Sequence, residues 1–209
     1  MAKNKEKLIV WDFPTRVFHW ALAVAVVVSF VSVRMDEMEI HFVSGGVILT
    51  LILFRVMWGL WGATTARFLQ FAPLPSRIKA WRAGGEIGHS PWGALSVFAL
   101  LGALGAQAGS GLFTDDGIYL TGPLRDYVSS GTANTATKFH ARLSDVIFAL
   151  VLLHLAAIVF YTLVKKSGIL LPMLTGRSTR SAKGIEPRPL LWAAATAVIA
   201  AAPVIWIFS

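Results

Sequence analysis

The chain has 209 residues, of which 56% are apolar and 14% are charged, with a formal net charge of +8. Its mean hydropathy of +0.65 is far from the balance of a soluble domain and indicates an integral membrane protein. It contains no cysteine, which excludes disulfides and thiolate ligands to a metal on this chain.

Five apolar runs are long enough to cross about 30 Å of hydrocarbon, which takes about 20 helical residues. The sequence therefore predicts an all-α membrane protein with five spanning helices. The runs are Val17 to Val33, Phe42 to Trp61, Trp92 to Phe113, Phe139 to Val164 and Leu190 to Phe208. Pro14 suits the start of the first helix, and Ser90 followed by Pro91 suits the start of the third.

Most basic residues lie on one side of these runs: before the first, between the second and third, and between the fourth and fifth. The two opposite loops hold a set of acidic residues instead: Asp36, Glu37, Glu39, Asp115, Asp116 and Asp126. By the positive-inside rule the N-terminus is cytoplasmic and the C-terminus lies outside. The positive charge is thus explained by membrane topology, and we expect no nucleic-acid partner and no cleaved signal peptide.

The outer loop from Thr114 to Thr137 is polar and lacks a clear helical period. We expect it to be irregular, and both a docking surface and a simple tether are compatible with its composition. The last span carries no ionisable group, which is typical of an anchor or packing helix.

Four histidines lie at two matching depths of the predicted spans. His140 and His154 lie fourteen residues apart on the fourth span, a rise of about 21 Å in an α-helix with both side chains on nearly the same face. His41 opens the second span on the outer side, and His19 lies near the cytoplasmic start of the first. The depths match in two pairs, His41 with His140 and His19 with His154.

These pairs predict haem binding, because imidazole is a good ligand for iron and helical bundles build cofactor sites from facing side chains. Two histidines fill both axial positions of a haem, so its iron would carry electrons without binding a substrate. Two such haems at two depths predict an electron path through the membrane. His89 has no histidine at its depth, and we interpret it as an interfacial residue.

Arg55 and Arg16 are candidate partners for the carboxylates of the inner haem. Arg55 lies fourteen residues after His41 and therefore near the inner depth, where it either pairs with a propionate or extends to the headgroups. Arg16 lies three residues before His19. A charge inside a span is costly, so Arg55 is expected to have a functional role.

Arg142 and Lys138 are the corresponding candidates for the outer haem. Asp145 either pairs with Arg142 or helps to move protons for a quinone. Five glycines within the spans would admit a flat macrocycle or close helix packing, and both interpretations stay open. These are Gly45, Gly46, Gly102, Gly105 and Gly109.

Four motifs, "WDFPTRVFHW", "LFRVMWGLWG", "GHSPWGALSV" and "LLHLAAIVFYTLVKKSGILLPMLTGR", carry a family resemblance. In this order and spacing they resemble the bacterial di-haem cytochrome b561 superfamily, especially its hydrogenase-type cytochrome b branch, from about Ile9 to Arg180. The resemblance implies a four-helix transmembrane bundle with two b-type haems and four axial ligands. These are His19, His41, His140 and His154, in the pairs His19/His154 and His41/His140. An acidic residue that follows the first helix-four ligand in the family is Ala141 here, so its role does not carry over.

The resulting domain prediction is a four-helix di-haem domain at 1–180, followed at 181–209 by a basic linker and a C-terminal transmembrane helix. The family moves electrons between a periplasmic partner, such as a cytochrome or a dehydrogenase or hydrogenase subunit, and the quinone pool of the inner membrane. The resemblance thus implies a multi-pass inner-membrane electron-transfer subunit with lipid, quinone and periplasmic protein as partners, and an oligomer is compatible with it.

Two alternatives remain. The first is a stand-alone superoxide:quinone oxidoreductase. A basic funnel on the outer side would favour this function, and the acidic outer loops weigh against it. A haem-free membrane anchor or transporter would make the matched histidines a coincidence. The direction of electron flow and the quinone site are left open by the sequence.

Overall fold

The computed structural model describes residues 8–82, 91–118, 120–178 and 185–209. In these ranges five helices are long and apolar enough to cross a membrane, so the predicted all-α membrane fold is confirmed. The elements in chain order are β1 (Leu8–Ile9), α1 (Phe13–Arg34), α2 (Met38–Trp61), α3 (Phe68–Phe71), α4 (Pro75–Arg82), α5 (Pro91–Gly111), α6 (Ser130–Val159), α7 (Leu170–Thr175), β2 (Arg177–Ser178) and α8 (Leu190–Phe208). A π-helical turn, Phe160–Val164, continues α6.

The start of the fourth spanning helix differs from the expectation of an irregular loop up to Thr137. Helix α6 begins at Ser130, and its first turn is capped because the Ser129 hydroxyl accepts from the Thr132 N–H at 3.2 Å. The hydroxyls of Thr135 and Thr137 donate to carbonyls four residues earlier in the helix. The cap offsets part of the low helix propensity of this Ser- and Thr-rich segment. His89 and Ser90 lie outside the described residues.

The chain divides into two contact units, each of which collects segments from several helices. The first unit comprises Met1–His19, Arg55–Phe98 and Leu153–Thr196, and the second comprises Trp20–Phe54, Ala99–Leu152 and Ala197–Ser209.

In the first unit, buried polar bonds tie the start of α1 to the end of α2. The Trp58 indole N–H donates to the Asp12 carboxylate at 2.8 Å, and Asp12 is 4% exposed. The Thr65 hydroxyl donates to the Val10 carbonyl at 2.9 Å. Because a hydrogen bond to a charged acceptor is stronger than a neutral one, the Asp12 bond is the stronger of these ties.

A second tie in the first unit is the antiparallel pairing of β1 with β2. The N–H groups of Val10 and Trp11 both donate to the Gly176 carbonyl, at 2.8 and 3.2 Å. Gly176 has a φ of +78°, and a Cβ there would lie 2.8 Å from the Trp11 carbonyl oxygen and 3.1 Å from Arg16 Nε. Glycine is therefore required both by conformation and by space.

In the second unit, helices α1, α2, α5 and α6 share one apolar core. Ile147 of α6 is its most buried member, at 1% exposure. The buried members are Ala25, Val26, Ile48, Ile52, Leu104 and Ile147. Four helices therefore meet in this core, as expected for a four-helix bundle.

Helix α8 packs on α2. In the first unit the Trp61 indole N–H donates to the Thr196 hydroxyl at 3.1 Å. In the second unit the Phe208 ring lies 3.6 Å from the position that a Cβ on Gly46 would occupy. Gly46 thus serves close helix packing.

The loop between α5 and α6 is held by a dense set of polar bonds. Arg125 Nε donates to Asp115 Oδ2 at 2.6 Å, and the Gly117 N–H donates to Asp115 Oδ1 at 2.8 Å. The Asp115 N–H donates to the Thr137 hydroxyl at 2.9 Å. The bond from Arg125, together with the one from Gly117, lowers the pKa of Asp115. The loop is thereby fastened to the start of α6.

Candidate functional site

His41 and His140 face each other in the second unit. His41 lies in the first turn of α2, and His140 lies in the third turn of α6. Their ring centroids are 6.2 Å apart and the ring planes are nearly perpendicular, at 86°. Both rings are half-buried. We refer to these residues as the 41/140 pair.

Hydrogen bonds define the tautomer of both rings. His41 Nδ1 lies 3.1 Å from the Ser29 carbonyl, and His140 Nδ1 lies 2.9 Å from the Gln107 carbonyl. A carbonyl only accepts, so Nδ1 carries the proton and Nε2 keeps its lone pair. This is the arrangement of metal-binding histidines, in which the other ring nitrogen is held by a carbonyl or carboxylate.

Two serine hydroxyls complete the surroundings of these nitrogens. Ser29 Oγ lies 3.1 Å from His41 Nδ1, and Ser110 Oγ lies 3.4 Å from His140 Nδ1. Since each Nδ1 is the donor, each hydroxyl oxygen accepts. Helix α5 supplies no histidine but orients one through Gln107 and Ser110.

His19 and His154 face each other in the first unit. His19 lies in the second turn of α1, and His154 lies six residues before the π-helical turn that continues α6. Their ring centroids are 6.5 Å apart with a plane angle of 52°. Single π-turns within α-helices occur frequently at functional sites. We refer to these residues as the 19/154 pair.

The separation within each pair fits two axial ligands of one metal. Metal to imidazole-nitrogen bonds are about 2.0 Å long, and the ring centre lies roughly 1.1 Å behind the nitrogen, so two opposite ligands have centroids about 6.2 Å apart. The observed distances are 6.2 and 6.5 Å. Within the described ranges no three ligating side chains of His, Cys, Asp or Glu gather at one point. A metal held by either pair therefore needs its remaining ligands from a cofactor, as haem provides.

Arg55 is buried in the first unit at 3% exposure. Its guanidinium lies over the Phe68 ring, 4.7 Å from the centroid, and 5.8 Å from that of Phe71. Asp12 is its nearby opposite charge. Among the described residues Arg55 Nη1 has no hydrogen-bond partner. A buried cation with an unused donor fits an anionic group of a cofactor better than it fits extension to the headgroups.

Arg16 lies one turn before His19 on α1. Its Nη1 donates to the Leu174 carbonyl at 2.6 Å, while Nε is buried without a partner among the described residues. One donor of this guanidinium is thus occupied in fixing α7, and another remains available for an anion.

Two glycines lie near the 41/140 pair, one by its position on α2 and one by its contact with a ring. Gly45 lies one turn after His41 on the same face of α2, and a Cβ there would meet nothing within 4 Å. Gly111 is the last residue of α5, and a Cβ there would lie 3.0 Å from His140 Cε1. The space at Gly45 is open, and Gly111 lets α5 approach the ring of His140.

The charged residues of α6 that the sequence suggested as candidates are not buried with the histidine pairs. Lys138, Arg142 and Asp145 are exposed, and the roles expected for them stay predictions. Sequence reasoning missed Asp12 and Trp58, although Asp12 belongs to the quoted motif "WDFPTRVFHW". It also missed the carbonyls that hold His41 and His140, since a backbone acceptor leaves no mark in a sequence.

Five spanning helices and two facing histidine pairs, whose ring separations fit two ligands of one haem iron, define a helical membrane protein. The family model described as Prokaryotic cytochrome b561 matches residues 10–176, and the chain belongs to this family. It is therefore a transmembrane, b-type haem electron-transfer protein, and the predicted membership of the b561 superfamily is confirmed. The hydrogenase-type branch stays a prediction. No curated protein sequence matches the chain.

Proposed function

We propose that the chain binds two b-type haems, one between His41 and His140 and one between His19 and His154. With them it carries electrons between a periplasmic redox partner and the quinone pool of the bacterial inner membrane. The observation that carries this proposal is the separation of the rings, 6.2 and 6.5 Å. Haem supplies reversible one-electron redox chemistry, and two axial histidines leave the iron no open position.

The chain's own part is to hold and orient the cofactors. The Ser29 and Gln107 carbonyls fix Nδ1 of the 41/140 pair, which keeps Nε2 available for iron. In the unit that holds the 19/154 pair, Arg55 and Arg16 are proposed to offer their unused guanidinium donors to the haem carboxylates. We also propose Arg142 for the other haem, from its position two residues after His140.

Charge supports the orientation in the membrane. Basic residues gather before the first span and in the loops after the second and fourth, so these loops are proposed to be cytoplasmic. The 41/140 pair then lies toward the periplasm and the 19/154 pair toward the cytoplasm. We retain 1–180 as the di-haem domain and 181–209 as linker and fifth helix.

The partner on the periplasmic side is proposed to be a cytochrome or a dehydrogenase or hydrogenase subunit, which makes this chain an electron-transfer subunit. Acidic outer loops repel an anion such as superoxide, so a stand-alone superoxide:quinone oxidoreductase is not favoured. The haem-free anchor or transporter is set aside by the family membership.

A visible spectrum of the purified protein with a pyridine-haemochrome count tests the proposal. We expect dithionite-reducible b-type bands and two haems per chain. One haem per chain would refute the pairing of both histidine sets with haem, and none would refute the function. Reduction of a quinone analogue in liposomes, with and without the co-purifying periplasmic protein, tests whether the chain acts as a subunit.

A further inference from the structure

The two rings of the 41/140 pair donate to carbonyls near the C-terminal ends of two different helices. Gln107 lies in the last turn or so of α5, which ends at Gly111, and Ser29 lies five residues before the end of α1 at Arg34. Each carbonyl accepts from the Nδ1–H of its histidine, and such an acceptor raises the basicity of the imidazole.

Each of these carbonyls also accepts a hydroxyl from a serine three residues later. Ser32 Oγ donates to the Ser29 carbonyl at 3.0 Å, and Ser110 Oγ donates to the Gln107 carbonyl at 3.0 Å. Ser32 is buried, at 3% exposure. The same arrangement of carbonyl, serine and histidine is thus built twice, once for each ligand. Each carbonyl oxygen therefore accepts from both a serine hydroxyl and a histidine N–H. The serine bond weakens the carbonyl as an acceptor for the histidine.

The unit of the 19/154 pair contains a buried cation. Arg55 is buried in the same unit at 3% exposure, with an unused donor at Nη1. Positive charge near an iron centre favours its reduced form, whereas acceptors on the ligands raise their basicity and favour the oxidised form.

We propose that the Ser29 and Gln107 carbonyls, moderated by the hydroxyls of Ser32 and Ser110, make iron at the 41/140 pair harder to reduce than iron at the 19/154 pair. The proposal rests on the proposed function, because it requires a haem at each pair. Electron transfer from the 41/140 site to the 19/154 site is then favourable. This order suits a partner beside the 41/140 pair that delivers electrons to the chain.

A spectroelectrochemical titration of the purified holoprotein measures the two midpoints, and single-haem variants assign them. His154→Ala leaves only the 41/140 site, and we expect it to titrate at the lower of the two wild-type midpoints. His140→Ala leaves the other site, which should titrate at the higher midpoint. If either variant yields no protein, His19→Ala or His41→Ala removes the same haem. The reverse order with two haems present overturns this inference alone, while absence of haem overturns the proposed function.

Serine substitutions test the hydrogen bonds as the cause. Ser32→Ala removes a donor that competes for the Ser29 carbonyl, and we expect the lower midpoint to fall by an amount equivalent to about a threefold change in the reduction equilibrium. Ser29→Ala keeps the carbonyl but removes the hydroxyl that accepts from His41, and the same midpoint should rise by a similar factor. A general loss of packing would not give opposite signs.

Ser144→Ala is the matched control. Its hydroxyl also donates to a carbonyl three residues earlier, that of Ala141, at 2.7 Å, within the same unit. We expect both midpoints to stay unchanged in this variant. Equal shifts in Ser32→Ala, Ser29→Ala and Ser144→Ala, or no shift in the first two, would overturn the assigned role of the serines.

Discussion

Replacement of Gly111 by alanine tests whether the end of α5 seats the His140 ring. A Cβ on Gly111 would lie 3.0 Å from Cε1 and 3.3 Å from Nδ1 of His140, whereas ordinary van der Waals contact begins at 3.4 Å. The ring must therefore retreat by about 0.4 Å, or α5 must move by as much.

The retreat acts on the bond that orients the ring. His140 Nδ1 lies 2.9 Å from the Gln107 carbonyl, and a displacement of about 0.4 Å away from it gives roughly 3.3 Å, beyond the usual range for an N–H···O bond. Loss of such a bond costs about 1 kcal/mol, a factor of about five in an equilibrium. We expect Gly111→Ala to weaken haem retention at the 41/140 pair, or to raise its midpoint, by about this factor.

Gly105→Ala on the same helix is the control. A Cβ there would lie 3.6 Å from Ile52 Cγ2, an ordinary contact, and alanine is favoured over glycine in a helix by about 1 kcal/mol. This variant should bind haem as the wild type does and melt at the same or a higher temperature. The assays are the pyridine-haemochrome count, the midpoint titration and thermal release of haem in detergent.

The reasoning would be refuted if Gly111→Ala kept both haems, both midpoints and the thermal behaviour of Gly105→Ala. In that case the close approach of α5 would have no role in positioning His140. Loss of the 19/154 haem in Gly111→Ala would also contradict it, because the contact is made only with the other pair.

Three further predictions concern other parts of the chain. His154→Ala should lower the haem count from two to one per chain while the 41/140 spectrum persists, and loss of that spectrum instead would contradict the pairing. Asp12→Ala removes the carboxylate that accepts from the Trp58 N–H at 2.8 Å. It should lower the free energy of unfolding by about 1–3 kcal/mol, which is measured as a lower melting temperature. Asp12→Asn keeps an acceptor oxygen, so its melting temperature should fall less. The pKa of Asp115 is lowered in the folded protein, so its bond to Arg125 stabilises the loop fully above about pH 4 and is lost as the pH falls through the lowered pKa. Hydrogen-exchange protection of this loop should fall in that window, and Arg125→Gln should reduce the dependence, leaving the part that the Gly117 bond contributes.

The spanning helices could be predicted because length and hydropathy are properties of single segments. Three of the five predicted runs began within four residues of the observed helices α1, α2 and α5, and a fourth, α8, has the predicted bounds, whereas α6 begins nine residues before the predicted run. The start of α6 was missed because its first turns are rich in Gly, Ser and Thr, which have low helix propensity, so this start depends on the cap bonds at Ser129. Such bonds have no period to detect.

The juxtaposition of the histidines followed from helix geometry, since a fixed rise per residue turns sequence spacing into depth. The groups that orient them did not follow. The Ser29 and Gln107 carbonyls and the β1–β2 pairing are contacts between distant segments, and their residue types are common throughout the chain. For Arg55 the sequence left pairing and extension to the headgroups open, and its burial favours pairing.

The pairing of β1 with β2 also bears on how the protein is made. Residues 8–9 leave the ribosome before any span, whereas their partners 177–178 follow four of the five. At roughly 5–20 residues per second, the N-terminal segment waits about 10–30 s for its native neighbour. His19 likewise waits for His154, which comes late on the fourth span. The haem proposed for that pair would consequently be loaded late in biogenesis, because a nascent chain halted before α6 has only one of its two histidines.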